Sequence, residues 1–505
     1  MGTGGARAGI FDPDGKQIAV FATEWHTEFP RPGRAEQDPD EWWRCIVEAV
    51  RGVMAAGQAT SESIVGIGLD STAATVVAMD ENDRHLRPAL LWMDVRAAPE
   101  ADSLAATGDQ ALKYSGFGPV SAEWGAPKSM WIAKNEPEVF EKAKVICDCT
   151  DWLVNKLTGE WSMSLNHAAG KYFYDGDSGG WPVGLYQKAG AEAVLDKFPK
   201  NLLPIGEVVG GLRPDRAAEL GLKPGTPVAE GAIDAYAGAI GLGVVEPGKM
   251  ALITGSSHVM IGQSKTPVHA AGIWGSFTDA VIKGEYTVES GQSSTGSVAA
   301  WFKNNLAPIA RERAKAAGVD PYTVLDELAS QVPVGSDGLI LLDHFQGNRA
   351  PYSDARSRGV FWGLSLGHTE GHMFRAIMEG VCFGTQSIFD VMRANGYPPE
   401  SVVVSGGPAK SKLWMQLHAD VTNVPMTFTD VREGPVLGSA MMAAVGAGIF
   451  PDLPAAAQQM VHTVAVIEPN QTAHEAYEYS YHAYLRTYDA MRELMRDMTR
   501  HLEQA

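Results

Sequence analysis

Residues 249–257 read Lys-Met-Ala-Leu-Ile-Thr-Gly-Ser-Ser. A short apolar run, KMALI, enters a turn of small and hydroxylated residues. A continuous apolar run of this length suits a strand buried on both faces, as in a parallel sheet. The turn Thr254-Gly255-Ser256-Ser257 then falls at the strand's carboxyl end, the edge where open α/β sheets bind ligands. Three more segments share the pattern. Residues 63–69 (SIVGIGL) end at Asp70, 227–233 end at Asp234, and 400–404 (ESVVV) run into Ser405-Gly406-Gly407. Helical patterns separate them. After Thr369 as N-cap, Phe374, Ile377, Met378 and Val381 recur at i, i+3, i+4 and i+7, and 437–449 are rich in Ala, Gly and Met. The alternation predicts an α/β fold.

The length, 505 residues, suits about three domains or two large ones. Val245-Glu246-Pro247-Gly248 breaks the pattern and divides the chain into 1–245 and 246–505. Each half has a Gly/Ser/Thr turn near its start, Gly2-Thr3-Gly4-Gly5 and Thr254-Gly255-Ser256-Ser257, which suggests two related lobes facing a cleft. The formal charge of −19 argues against nucleic acid and anionic membrane as main partners. It leaves room for an anionic substrate, because backbone N–H groups hold phosphate locally. Cys45, Cys147, Cys149 and Cys382 match neither a disulfide framework nor a zinc pattern and read as reduced, buried thiols. No apolar run spans a membrane and no signal peptide is visible, so a cytoplasmic location is expected.

Glycine-rich turns after strands let backbone N–H groups converge on an anion. The candidates are Gly2-Thr3-Gly4-Gly5 with Arg7, Thr254-Gly255-Ser256-Ser257, and Ser405-Gly406-Gly407-Pro408. No complete GxxxxGK[ST] loop occurs; the nearest string, from Gly243 to Lys249, continues into Met250. Three such turns, two of them opening the lobes, point to a nucleotide in the cleft. Asp234, among small and apolar residues, is costly to bury unless used or paired. It serves either as a proton acceptor near bound phosphates or as the N-cap of the next helix. Lys171 and Glu289 suit sugar hydroxyls or solvent; Trp124 and Trp131, near Lys128, suit a sugar face or the core.

Other machinery is absent. There is no HExxH and no Cys/His cluster of zinc spacing. Gly176-Asp177-Ser178-Gly179-Gly180 matches G-x-S-x-G, but in a polar stretch before Trp181-Pro182 it reads as a surface loop. Phosphoryl transfer remains, in which positioning and electrostatics carry the chemistry. Near the end, Tyr477, Tyr481, Tyr484, Tyr488, Met491, Met495 and Met498 form a heptad seam. It fits a terminal helix packed on its own lobe or a homodimer contact.

Taken together, these segments resemble the FGGY carbohydrate kinases, two-lobed members of the actin-like, ribonuclease H-like ATPase superfamily. Gly2–Ala8 is similar to the family's first phosphate motif, 231–234 to its catalytic-base segment, 253–257 to its second phosphate motif, and 405–407 to its adenosine motif. Four segments resemble the ribulokinase branch: GLDST (68–72), LWMDVRA (91–97), VESGQS (288–293) and FQGNRAP (345–351). The resemblance implies an ATP- and Mg²⁺-dependent kinase acting on the terminal hydroxyl of a pentulose, D-ribulose or L-ribulose. A polyol kinase (erythritol, ribitol or glycerol) or a xylulokinase is the alternative. It implies Asp234 as base, and Lys171, Glu289 and Asp94 as sugar contacts. Gly2, Thr3, Arg7, Thr254, Gly255, Ser256, Gln346, Asn348, Gly406 and Gly407 would line the ATP site; no metal ligand is assigned. Family members begin with a short apolar strand and an Asp two residues before the first Gly-Thr, whereas here Gly2 follows Met1. The expectation is a start placed too late, a Val codon GTG read as Met, with the first strand of the first lobe lying upstream. Without that strand, low stability and poor turnover are expected.

Overall fold

The structure, a computed structural model, describes residues 1–504. The first lobe opens on the Gly2–Gly5 turn and an antiparallel hairpin of β1 (Gly5–Phe11) and β2 (Gln17–Glu24), with Ala8 opposite Phe21. Helix α1 (Pro39–Ala56) crosses the hairpin. Asp38 caps it by accepting the Asp40 N–H, and Pro39 stands in the first turn, where a missing N–H costs nothing. Further along come β3 (Asp70–Ser71), α2 (Leu165–Tyr172), β4 (Ala232–Ile233) and α3 (Asp234–Gly241). Strands β4 and β3 run parallel, with Ile233 opposite Ser71.

The second lobe is built on a seven-stranded sheet of β5 (Lys249–Thr254), β6 (His258–Ser264), β7 (Trp274–Thr278), β8 (Tyr286–Gln292), β9 (Ser401–Gly406), β10 (Met426–Thr429) and β11 (Thr463–Ile467), in the order β7-β8-β6-β5-β9-β10-β11. The predicted strands at 249–253 and 400–404 are its parallel centre, where Ile253 pairs with Ser405 and Thr254 with Gly406. Helix α4 (Glu370–Ala394) starts at the predicted Thr369, whose side chain and that of His372 cap each other's backbone N–H. Helix α5 (Gly434–Gly446) lies across α3 at backbone contact. A Cβ on Gly241 would stand 2.0 Å from the Gly434 carbonyl oxygen, and one on Gly438 1.9 Å from that of Ala237. Small residues therefore let the second lobe press against the helix that begins at Asp234.

Helix α6 (Gln471–Gln504) carries the tyrosine seam. Tyr477, Tyr484, Tyr488 and Met495 are buried in the second lobe's core, while Met498 is exposed. The seam packs on its own lobe. All four cysteines are free and buried. Among the described residues no helix is long and apolar enough to cross a membrane. The 176–180 string is a turn closed by backbone bonds between Asp175 and Gly180, and Ser178 donates to Asp175. No strand leads into it, so it is no nucleophile elbow.

Two strand expectations need correction. Residues 227–233 divide into a strand at Pro227–Ala229 and β4, interrupted at Glu230-Gly231. Residues 63–69 form almost no ladder: Ile67 makes one bridge to Val228, and regular pairing begins only at β3. The other edge faces an apolar groove of about 670 Å³. Ala6, Ala8 and Ile10 line its far side, Ala49 and Val53 one face, Val436 and Ala440 the other. A run with partners on one edge only has the composition of a central strand without its ladder.

Candidate active site

Asp234 is the first residue of α3, at the carboxyl end of β4. It accepts the Ala235 N–H at 2.7 Å. Burial, with a smaller push from the Asp70 carboxylate, raises its pKa to about 6 against the pull of the N-terminal ammonium and Lys171. A carboxylate so tuned takes up a proton more readily near neutral pH than an ordinary aspartate.

Lys171, in the last turn of α2, points its ammonium at Trp124, 5.6 Å from the ring centroid, and lies 3.4 Å from Glu289 Oε2. Glu289 comes from β8 of the other lobe. The same Oε2 accepts the Tyr236 hydroxyl at 2.6 Å. Oε1 has no protein donor among the described residues. The structure thus brings Lys171 and Glu289 together beside α3, and neither is a solvated surface charge.

The two opening turns are held differently. Around Thr3, Trp25 Nε1 and Gln37 Nε2 both donate to the carbonyl oxygen, and Trp92 Nε1 donates to the hydroxyl at 2.9 Å. Gly2 donates its N–H to the Gly5 carbonyl. Lys128 is fully buried and donates to the carbonyls of Ala74, Leu91 and Trp92, so it braces Trp92 rather than meeting a sugar; burial lowers its pKa to about 7. Trp131 lies against Arg96 in the core. In the second turn the Thr254 hydroxyl donates to the Ser405 carbonyl at 3.0 Å, tying β5 to β9. Gly255 and Ser256 are the exposed positions beside it. Gly406 is required there: its φ is +106°, and a Cβ would sit 1.8 Å from the Thr254 carbonyl oxygen. Gly407 has open space around it. Gln346 is exposed, its N–H held by Ser294 Oγ at 3.1 Å.

Three expected ligand contacts look different in the structure. Asp94 is fully buried, and its oxygens accept from Arg96 and from the Ala35 N–H, so it fixes Arg96 and presents no free oxygen to the cleft. Arg7 pairs with Glu433 at 2.7 Å and spans the lobes instead of converging on the Thr3 turn. Asn348 spends its side chain on its own loop, accepting the Tyr352 N–H and bonding His344. From the sequence Tyr236 has no role, and Asp70 stands out only as the acidic end of the 63–69 run. Tyr236 stands two residues after Asp234, but nothing in the spacing says its hydroxyl reaches β8.

Known proteins share this architecture. The model of the FGGY family of carbohydrate kinases, N-terminal domain, matches residues 1–241, and that of the C-terminal domain matches residues 250–447. A ribulokinase of Shouchella clausii is 31% identical, covering 97% of this chain and 93% of that protein. A ribulokinase of Mycolicibacterium smegmatis is 33% identical, covering 88% and 82%. Among solved structures, a xylulose kinase from Rhodospirillum rubrum superposes with a TM-score of 0.88 at 29% identity, covering 98% of each chain. A glycerol kinase from Plasmodium falciparum with ADP shares the fold, with a TM-score of 0.83 at 17% identity over 96% of each chain.

Proposed function

We propose that this chain, which belongs to the FGGY family of carbohydrate kinases, transfers the γ-phosphoryl group of ATP to the terminal hydroxyl of a pentulose, D-ribulose or L-ribulose. The observation that carries this reading is the placement of the Asp234 carboxylate, at the carboxyl end of β4, beside the Lys171–Glu289–Tyr236 cluster where the two lobes meet. The likeness to ribulokinases along most of the chain supports the sugar class. We place the sugar on lobe 1–245 and the nucleotide on lobe 246–505, and the enzyme in the cytoplasm.

Asp234 accepts the proton of the attacking hydroxyl as the oxygen–phosphorus bond forms and ADP departs in line. Lys171 and the free Oε1 of Glu289 take sugar hydroxyls, and Trp124 offers an apolar face. The turns at Thr3 and at Gly255–Ser256 hold phosphates through backbone N–H groups, with Gly406 and Gly407 beside the nucleoside. Mg²⁺ favours hard oxygen donors, one or two carboxylates plus phosphate oxygens. Asp70 carries a carboxylate of that kind near Asp234, but its oxygens accept from Ser439 and the N-terminal ammonium, so it offers no free oxygen and is assigned no ion. The ion supplies neutralisation of charge on the β- and γ-phosphate oxygens.

The test is ADP release measured against D-ribulose, L-ribulose, D-xylulose, erythritol, ribitol and glycerol. A ribulose should exceed the others by about tenfold or more in kcat/KM. The xylulose kinase likeness is the reason D-xylulose stands in the panel. Preference for it or for a polyol overturns the sugar assignment, and hydrolysis indifferent to sugar overturns the kinase reading.

A further inference from the structure

The loop at 345–358 follows the strand Ile340–Leu342 and carries Gln346 and Asn348. We propose that Asp354, gripped by Tyr488 and Arg496 of α6, is the positioning residue that holds this loop in its nucleotide-binding shape, so that the C-terminal helix sets the affinity for ATP. The inference rests on the reading above that the loop lines the nucleotide site.

The chain of contacts is short. Asp354 and Asn348 exchange both backbone hydrogen bonds, each 2.8 Å. The Asp354 carboxylate is buried; its Oδ2 accepts the Tyr488 hydroxyl at 3.0 Å and Arg496 Nε at 3.0 Å, and its Oδ1 accepts the Arg356 N–H. The Tyr352 ring stacks on Tyr488 with centroids 4.0 Å apart, and its N–H donates to Asn348 Oδ1. His344, which bonds Asn348 Nδ2 and Ser357 Oγ, packs edge-on to Tyr488 at 5.5 Å. Both ends of the Asn348 side chain therefore lean on residues that lean on Tyr488. A loop with little regular structure is ordered by a helix more than a hundred residues later. A buried carboxylate that loses one of its charged or hydroxyl partners no longer fixes the strand-like bridge it anchors.

Arg496 lies at the helix surface and is half-exposed, so Arg496→Met leaves the core intact. The experiment measures the Kd of the non-hydrolysable analogue AMP-PNP by calorimetry in Arg496→Met, Tyr488→Phe and Asp354→Asn, with hydrogen exchange over 346–358. The expected result is an affinity about tenfold weaker, the loss of one charged hydrogen bond, with faster exchange in the loop alone. The sugar KM and kcat at saturating ATP should change less than about twofold. Gln346→Ala separates the two layers. If it weakens AMP-PNP while Arg496→Met and Tyr488→Phe do not, the positioning role is overturned and the kinase reading stands. If Gln346→Ala also has no effect, the loop is not at the nucleotide and both assignments fall. A fall in kcat with both KM values and the AMP-PNP Kd unchanged would mark a structural role only and overturn the proposal.

Discussion

Tyr236 and Glu289 meet across the two lobes, the hydroxyl of one donating to Oε2 of the other at 2.6 Å. Tyr236 belongs to the helix that Asp234 begins, and Glu289 to the sheet whose strand ends carry the turns at 254–257 and 405–408. Burial and the glutamate raise the phenol's pKa well above its ordinary value, so it remains a hydrogen-bond donor across the working pH range. With Lys171 on the same oxygen, Oε2 is saturated and Oε1 remains for a substrate hydroxyl.

Tyr236→Phe removes one of those donors without opening a cavity. Glu289 should then lose its fixed orientation, and the sugar KM should rise about tenfold with kcat changed less than about threefold. Steady-state kinetics with the sugar varied decide this. A fall in kcat at constant KM would place Tyr236 in the chemical step instead.

Asp234→Ala should lower sugar-dependent ADP release by a factor between about 10² and 10⁴, the usual range for a general base. AMP-PNP should bind as before, because the turns proposed to hold phosphate are on other elements. Retained turnover would refute the base.

The pH profile tests the same group. As the proposed base Asp234 must be ionised, so kcat/KM should fall on the acid side with an apparent pKa near 6, about tenfold per pH unit. Stability runs the other way. The folded pKa, about 6, lies above the ordinary 3.8, so the native state binds the extra proton between these values. Ionisation therefore costs stability as pH rises through that window, by at most about 3 kcal/mol. Asp234→Asn should melt higher than the parent at pH 7.5 and equal to it near pH 4. A melting-point gap that does not vary with pH would show that the carboxylate is not strained by burial.

What could be read in the sequence was what is local. An apolar run followed by Thr-Gly-Ser-Ser is a strand end and its turn whatever surrounds it, and β5 and β9 lie where their runs stand. Thr369 marks a helix start through its own neighbours. The residues that look different in the structure have partners far along the chain. Asp94 is saturated partly by an N–H 59 positions away, and Arg7 by a carboxylate 426 positions away. No spacing rule reports such partners. Residues 63–69 show the same limit for a strand: their composition asks for one, but only Ile67 finds a bridge, to Val228 far along the chain.

The groove beside those residues gives the last prediction. Met1 donates its N–H to the Asp70 carbonyl at 2.8 Å, and Thr72 donates to the Met1 carbonyl at 3.0 Å, which is the bond pattern of a parallel partner for Ser71. Residues joined ahead of Met1 would continue that ladder past Gly68 and Gly66, antiparallel to β1, into a slot with helices α1 and α5 on its faces. Strands covered on both faces are almost continuously apolar. A five-residue Val/Ile segment fused ahead of Met1 should therefore raise the melting temperature by several degrees, about the effect of one or two kcal/mol. It should also slow hydrogen exchange at Gly66 and Gly68, whose N–H groups have no partner among the described residues. A Gly/Ser segment of equal length should do neither, because it brings no apolar surface to bury. Equal melting temperatures and equal exchange for the two fusions would show that the groove does not accept a strand.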